Sequence, residues 1–279
     1  MEPEVRQEEL TKEMATGPDI QDRRFGLSSS ALKMFAVVTM LIDHVAAVLL
    51  VKLLIHNGTW EFIEYNGSRM LNILSAEHMD MINLYQLMRN IGRIAFPIYC
   101  FMLVEGFMRT RNIQKYLSRI LVFALVSEIP FDLAFAGKVF YWDYQNVMFT
   151  LFWGLIAMYV SHTVELKTDK WFIKWPITTG TWLIAAWAAE WMLTDYGAKG
   201  VGCICVLYLL RYVPSLQLLC GAAVFTWELP APIAFLFIAL YNGKKGLGLK
   251  HFFYAFYPVH LMLLYIISVV LGMGSIVVI

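Results

Sequence analysis

An apolar run of 24 residues, from Ala31 to Leu54, limits what this chain can become before any other feature is weighed. About 18 to 20 consecutive apolar residues cross the hydrocarbon core of a bilayer as one α-helix, the element that satisfies its own backbone where no water can. Comparable stretches recur, and helices are expected at 31–54, 91–108, 117–136, 147–162, 177–194, 199–213, 215–227, 230–241 and 252–274. Only 15% of the residues are charged and the mean hydropathy is +0.60, whereas soluble proteins carry about a quarter charged residues. The expected class is all-α, a polytopic transmembrane helix bundle of eight or nine spans filling residues 30–279 as one domain. Glu228-Leu229-Pro230 divides the two short segments 215–227 and 230–241, which either cross twice or re-enter. Residues 1–29 are polar and rich in acids, among them Glu2, Glu8, Glu13 and Asp22. With no basic region or cleavage site of a secretory signal, they read as a solvated arm ahead of a retained first span.

Lysine and arginine orient the bundle. With the N-terminus in the cytoplasm, the internal loops carry Arg109, Arg111, Lys115 and Arg119, then Lys167, Lys170 and Lys174, then Arg211, then Lys244, Lys245 and Lys250. The opposite loops hold little beyond Lys52, Arg69, Lys138 and Lys199. A multi-pass protein of the cytoplasmic (inner) membrane is expected. The long external stretch 55–90 mixes apolar residues with acids and reads as partly interfacial helix. With 22 basic and 21 acidic residues the chain has no cationic excess for nucleic acid. Cys203-x-Cys205 lacks the spacing of a zinc knuckle, and the four cysteines read as buried thiols without a metal.

Ionisable groups at membrane depth are costly and point to function. His44 lies near the middle of the first run, beside Asp43 and eleven residues after Lys33. Eleven residues are almost three turns, so Lys33 and His44 share a face roughly 16 Å apart. An interfacial cation and a deep base on one stripe suit a long anionic molecule. Arg93 opens the second helix from its outer end, and Glu128 and Asp132 bracket Pro130 on one face of the third. Each has a plainer role open to it: His44 as a bundle histidine, Lys33 as a snorkelling anchor, Arg93 as the partner of buried acids. Asp43 diverges by about 100° from His44 and either serves the site or ties helices together. His260, in Tyr257-Pro258-Val259-His260, either lines the inner approach to the site or packs against a neighbour.

Several blocks in order carry a resemblance. They are Leu32-Lys33 with Met40-Leu41-Ile42-Asp43-His44, then Arg89-Asn90-Ile91-Gly92-Arg93-Ile94-Ala95-Phe96-Pro97-Ile98-Tyr99-Cys100-Phe101 with Val104-Glu105-Gly106-Phe107. Tyr116-Leu117-Ser118-Arg119, Val126-Ser127-Glu128-Ile129-Pro130-Phe131-Asp132, Asn146-Val147-Met148-Phe149-Thr150, Asp195-Tyr196-Gly197 and Tyr257-Pro258-Val259-His260 follow. Over about 30–270 the chain resembles the TraX family, named for the conjugative-plasmid protein that N-acetylates pilin. More distantly it is similar to membrane acyltransferase family 3, whose members O-acetylate surface glycans and carry a basic residue, ten intervening residues and a histidine on the first helix.

The resemblance implies an acetyl-CoA-dependent membrane acyltransferase that passes an acetyl group from cytoplasmic acetyl-CoA to an amine or hydroxyl at the outer face. On that footing the phosphates of CoA meet Lys33, Arg109, Arg111 and Arg119, with His260 along the approach. His44 serves as general base or transient acetyl carrier. Asp43, Glu128 or Asp132 orients the ring, and Arg93 meets the developing oxyanion. The external segment 55–90 and the acidic arm have no counterpart in the pilin acetylase, so the acceptor, whether a protein N-terminus or a glycan, stays open. Two other classes share the polar cluster: a proton-coupled transporter, and an accessory component of a conjugation or secretion assembly.

Overall fold

The computed structural model describes residues 26–65, 68–73 and 78–279; the arm expected over 1–29 lies, up to residue 25, outside the described residues. The first helix, α1 (Ser29–His56), is capped by Ser28, whose Oγ accepts the Ala31 N–H at 3.3 Å. It stays α-helical to His44, widens into a π-turn over Val45–Leu50, and ends as α-helix. Single π-turns inside α-helices frequently mark functional sites.

The stretch expected as interfacial helix is in part a hairpin. β1 (Trp60–Tyr65) pairs antiparallel with β2 (Ser68–Ile73), Trp60 opposite Ile73 and Tyr65 opposite Ser68. The two-residue link in the sequence is Asn66-Gly67, the strongest short hairpin signal, and it outweighs the apolar content that suggested helix. α2 (Met79–Gly92) then begins twelve residues before the expected start at 91, and leads through a break at Arg93–Ile94 into α3 (Ala95–Arg109).

α4 (Ile113–Ala136) is capped by Asn112 and stops at Gly137, whose φ of 65° is left-handed. α5 (Val147–Lys167), α6 (Trp171–Trp191) and α7 (Gly197–Leu209) follow close to expectation. α8 (Pro214–Val224) and α9 (Ala234–Ala239) are short, joined by 3-10 turns at Thr226–Glu228 and Ala231–Ile233. α10 (Lys250–Val270) closes the bundle.

The fold is thus helical throughout, apart from the one hairpin, among the described residues. Four helical stretches are long and apolar enough to cross a membrane: Ser29–His56, Met79–Arg109, Val147–Lys167 and His251–Val270. The outer surface of the bundle is apolar as well, with Trp187, Trp191 and Leu183 of α6 and Val259, Leu263 and Val270 of α10 exposed. In water so continuous an apolar surface is a liability; against lipid it is the stable arrangement.

The core is built where α3, α5 and α7 meet, around Ile98, Phe107, Leu155, Met158, Ile204 and Tyr208. α10 packs on α4, and α1 packs on α2 and α3. The start of α8 and the end of α9 lie at the same end of the bundle as Ser29. Arg211 Nη2 meets Glu165 Oε2 at 2.7 Å near the close of α5, while Leu27 and Tyr241 form a parallel bridge. The turn between α8 and α9 reaches inward, where Glu228 meets Arg93.

Candidate functional site

The α-helical part of α1 carries Lys33, Met40 and His44 at spacings of seven and four, one stripe along the helix. Lys33 and Met40 line a cavity of about 440 Å³, while His44 lines a second of about 120 Å³. Lys33, Arg109, Arg119 and Lys245 line the larger cavity from four separate elements. Arg109 is braced by Glu105 Oε2 at 2.9 Å and the Gly243 carbonyl at 2.8 Å. The Arg119 guanidinium lies 5.8 Å from the Tyr116 ring, and its Nε is buried without a hydrogen-bond acceptor. A buried donor without a partner is expensive unless a ligand supplies one. Phe96, Tyr99, Met148 and Tyr257 make the deep part of this cavity largely apolar. Cations at one end and an apolar throat beyond fit a phosphate-bearing molecule with a long, weakly polar arm.

Around His44 the wall is aromatic. The rings of Tyr257 and Phe135 stand edge-on at 6.0 and 5.9 Å, and the His260 ring lies nearly coplanar, 6° off, at 4.9 Å. His44 Nδ1 and His260 Nε2 are 2.6 Å apart, and His260 Nδ1 donates to the Phe256 carbonyl at 2.7 Å. Tyr257 lines the larger cavity and His44 the smaller, so the two spaces meet at this wall.

The smaller cavity is polar. Arg89 Nη1 donates to Asp43 Oδ2 at 2.5 Å, and Arg93 Nη1 to Glu228 Oε1 at 2.5 Å. Tyr144 Oη donates to Asp195 Oδ1 at 2.7 Å. The loop carrying Asp195 is pinned to Gln145 by two backbone hydrogen bonds, Gln145 N–H to Leu193 O and Asp195 N–H to Gln145 O. Burial pushes the Asp195 carboxyl up, opposed by the Tyr144 hydrogen bond and by the guanidinium groups of Arg89 and Arg93. Glu228, in the turn after α8, is pushed up to about 7 by burial, with Arg93 pulling the other way. Asp43 Oδ1 is buried and unpartnered, so acceptor capacity remains in a space that also holds two guanidinium groups; Glu228, behind Arg93, likewise keeps Oε2 buried without a hydrogen-bond partner.

A family model described as TraX protein matches residues 28–268. The chain belongs to the TraX family. It is also 30% identical over 274 residues, 87% of this chain and 96% of the relative, to a probable fimbrial assembly protein FimC, serogroup H1, of Dichelobacter nodosus. No solved structure matches the chain. Within this TraX-family chain the most specific block of the resemblance, 89–107, supplies Arg89 and Arg93 to the small cavity and Phe96, Tyr99 and Gly106 to the large one.

The structure sorts the residues anticipated from sequence. Lys33, Arg109 and Arg119 surround one cavity; Asp43, His44 and Arg93 surround the other. Arg111 lies exposed in the turn between α3 and α4 and lines neither. Glu128 and Asp132 line neither as well. Glu128 accepts from the side-chain and backbone N–H groups of Asn146, the N-cap of α5, and Asp132 Oδ2 accepts the Tyr141 N–H at 2.8 Å. These two acids fix the connection from α4 to α5, while Phe131 and Phe135 of the same helix reach the cavity. His260, expected along the inner approach, is buried against His44. Arg89 and Tyr144 were not anticipated as site residues. Arg89 sits in a polar stretch that carries no apolar run, and only the overlap of α2 with Asp43 reveals its place. Among the described residues, no three His, Cys, Asp or Glu side chains are grouped to hold a metal ion.

Proposed function

We propose that this TraX-family protein is an integral membrane acetyltransferase that moves an acetyl group from cytoplasmic acetyl-CoA to an amine or hydroxyl acceptor at the outer face. The observation that carries the reading is His44 at the meeting of a cation-lined cavity and a small charged one. The donor's phosphates lie against Lys33, Arg109, Arg119 and Lys245, and its arm runs along the stripe Lys33–Met40–His44 toward the wall. The acceptor enters the smaller cavity. His44 takes a proton from the acceptor N–H or O–H as that heteroatom bonds to the thioester carbonyl carbon, then returns a proton to the departing CoA sulfur as the C–S bond breaks. Such general-base help is worth about 10²–10⁴ in rate. Arg93 stands with the groups available to the developing oxyanion, and Asp43 holds Arg89 beside it.

The same reading sets the chain in the cytoplasmic membrane with its N-terminus inside, as the lysine and arginine distribution directs. α8, eleven residues and therefore about 16 Å long, is too short for a core of about 30 Å. With α9 it forms a re-entrant pair. The named relative is a fimbrial assembly protein, which favours a pilus-associated acceptor. The test is acetyl transfer and thiol release by the purified protein in detergent, wild type beside His44→Ala. A correctly folded His44→Ala protein that transfers at the wild-type rate would overturn the mechanism. Solute movement under a pH gradient without any response to acetyl-CoA would overturn the transferase reading itself.

A further inference from the structure

The Tyr257-Pro258-Val259-His260 block ends on a histidine that the donor and acceptor cavities do not use directly. His260 is 4% exposed, and both of its ring nitrogens are engaged. A carbonyl oxygen only accepts, so the 2.7 Å contact with Phe256 O requires a proton on His260 Nδ1. The aromatic groups facing the two rings are Phe135 from α4 and Phe256 and Tyr257 from α10, while on the small-cavity side His44 shares its space with Asp43, Arg89, Arg93 and Asp195, the Arg89 charge opposing a proton on His44. No carboxylate is bonded to His260 among the described residues. A second proton would leave a buried imidazolium without a counter-charge, which the interior of a membrane bundle disfavours. His260 is therefore neutral, and its Nε2 is an acceptor. The 2.6 Å contact then requires the proton on His44 Nδ1, so His44 Nδ1–H donates to His260 Nε2. The lone pair of His44 is left on Nε2, the nitrogen turned away from His260.

We infer that His260 is a positioning residue: with the Phe256 carbonyl behind it, it fixes the tautomer and plane of His44 so that Nε2 is the nitrogen that takes the acceptor's proton. The kinetic half of this inference rests on the acetyltransferase reading; the tautomer half does not. The arrangement does for an imidazole what a buried carboxylate does in other histidine-dependent sites, namely hold one ring nitrogen protonated so that the other is basic. It does so without placing a charge at membrane depth. During the transfer His260 keeps its own proton and neither gains nor loses one.

The experiment compares wild type, His260→Gln and His260→Leu. Gln sets an amide oxygen near the position of Nε2 and preserves an acceptor for His44 Nδ1–H, whereas Leu fills the space and offers none. The expected result is a fall in kcat of about 10²-fold for His260→Leu, with the KM for acetyl-CoA within about twofold of wild type. His260→Gln should stay within about tenfold of the wild-type kcat. A structural role alone would lower the two variants together and would not spare KM. In parallel, nitrogen NMR of ¹⁵N-histidine-labelled wild-type protein, with the His44 signals assigned by loss in His44→Ala, reads the tautomer without any turnover. An unprotonated Nε2 beside a protonated Nδ1 is the expected pattern. A protonated Nε2 in wild type overturns the inference, as does a His260→Leu protein with undiminished kcat. If no variant, wild type included, transfers acetyl groups, the acetyltransferase reading fails while the NMR result still decides the dyad. If His260→Leu does not fold, the Gln variant and the wild-type spectrum decide it.

Discussion

Gly92 lies where α2 passes α1, and a Cβ built on it would fall well inside 3.0 Å of the Cβ, Cγ and Oδ1 of Asp43. Ordinary contact begins at 3.4 Å, so Gly92→Ala must drive Asp43 and α2 apart by about 1 Å. Misplacement on that scale costs about 10²-fold in rate when it reaches a reacting constellation. On the proposed mechanism it reaches one directly: Asp43 holds Arg89 at 2.5 Å, and the next residue in the chain is His44. Overpacking of a close-packed crossing also costs about 1–3 kcal/mol, a shift of several degrees in the unfolding temperature of a protein this size. The assay is acetyl-transfer kinetics and thermal unfolding in detergent, beside Gly202→Ala as control. Gly202 is a helical glycine of α7 with nothing within 4 Å of its added Cβ. Gly92→Ala should lower kcat about 10²-fold while the KM for acetyl-CoA changes by less than about threefold, because Lys33, Arg109 and Arg119 lie on the other cavity. Gly202→Ala should match wild type or melt slightly higher, since alanine is the better helix former. If Gly92→Ala turns over and melts like wild type, the claim that the α1–α2 crossing holds Asp43 and His44 in register is refuted.

Lys33→Ala and Arg119→Ala should each raise the KM for acetyl-CoA about tenfold and soften its salt dependence, whereas the exposed Arg111→Ala should leave KM unchanged; equal effects would dissolve the assignment of the cavity. Asp132→Ala removes the acceptor of the Tyr141 N–H and should cost about 1–2 kcal/mol, with turnover per folded molecule within about twofold of wild type, checked by thermal unfolding and activity on the same sample. Glu228 titrates near 7 in the folded protein against its ordinary 4.5. The folded state therefore binds more protons than the unfolded one between those values, and stability falls as pH rises through that window. Glu228→Gln should flatten this part of the unfolding-temperature profile, and an unchanged slope would contradict the burial of that carboxyl. Tyr257→Leu opens the wall between the cavities and should raise hydrolysis of acetyl-CoA relative to transfer, read as thiol released per acetyl group delivered; a constant ratio would deny the wall its sealing role.

Helices with strong apolar runs were legible from residue order, and so was the Lys33–His44 stripe, because one helical period suffices to place both. What escaped was set by tertiary contact. α2 interrupts its apolar residues with Asp80, Asn83, Gln86, Arg89 and Asn90, so it shows no continuous apolar run, and it lies across α1, where Arg89 finds Asp43. Glu128 and Asp132 share a helix face with Phe131 and Phe135 in the i, i+4 sense, and spacing cannot tell which of them turns to the cavity. Asn146 and the Tyr141 N–H, residues of a loop with no period, settled it. The partner of His44 was 216 residues away; its block was visible, its contact was not.

A transferase that takes its donor from one side of a bilayer and its acceptor from the other must bring two molecules together without opening a path for water or ions. Two cavities that meet at a wall of aromatic rings satisfy both demands. Closing an active site to water strengthens the electrostatic interactions inside and suppresses hydrolysis of a reactive thioester. In such a wall the base must be uncharged at rest, since an unpaired ion at this depth is costly, yet it must present one defined lone pair. A histidine held by a second neutral histidine meets both conditions, whereas a carboxylate partner would bring a buried charge to the same spot. The charges of the site are instead displaced to the smaller cavity, where Arg89 is matched by Asp43 and Arg93 by Glu228. The polar groups of this bundle are thus separated along α1, with cations at the larger cavity, a neutral pair at the wall and paired ions at the smaller cavity; on the proposed transferase reading these serve the donor, the base and the acceptor.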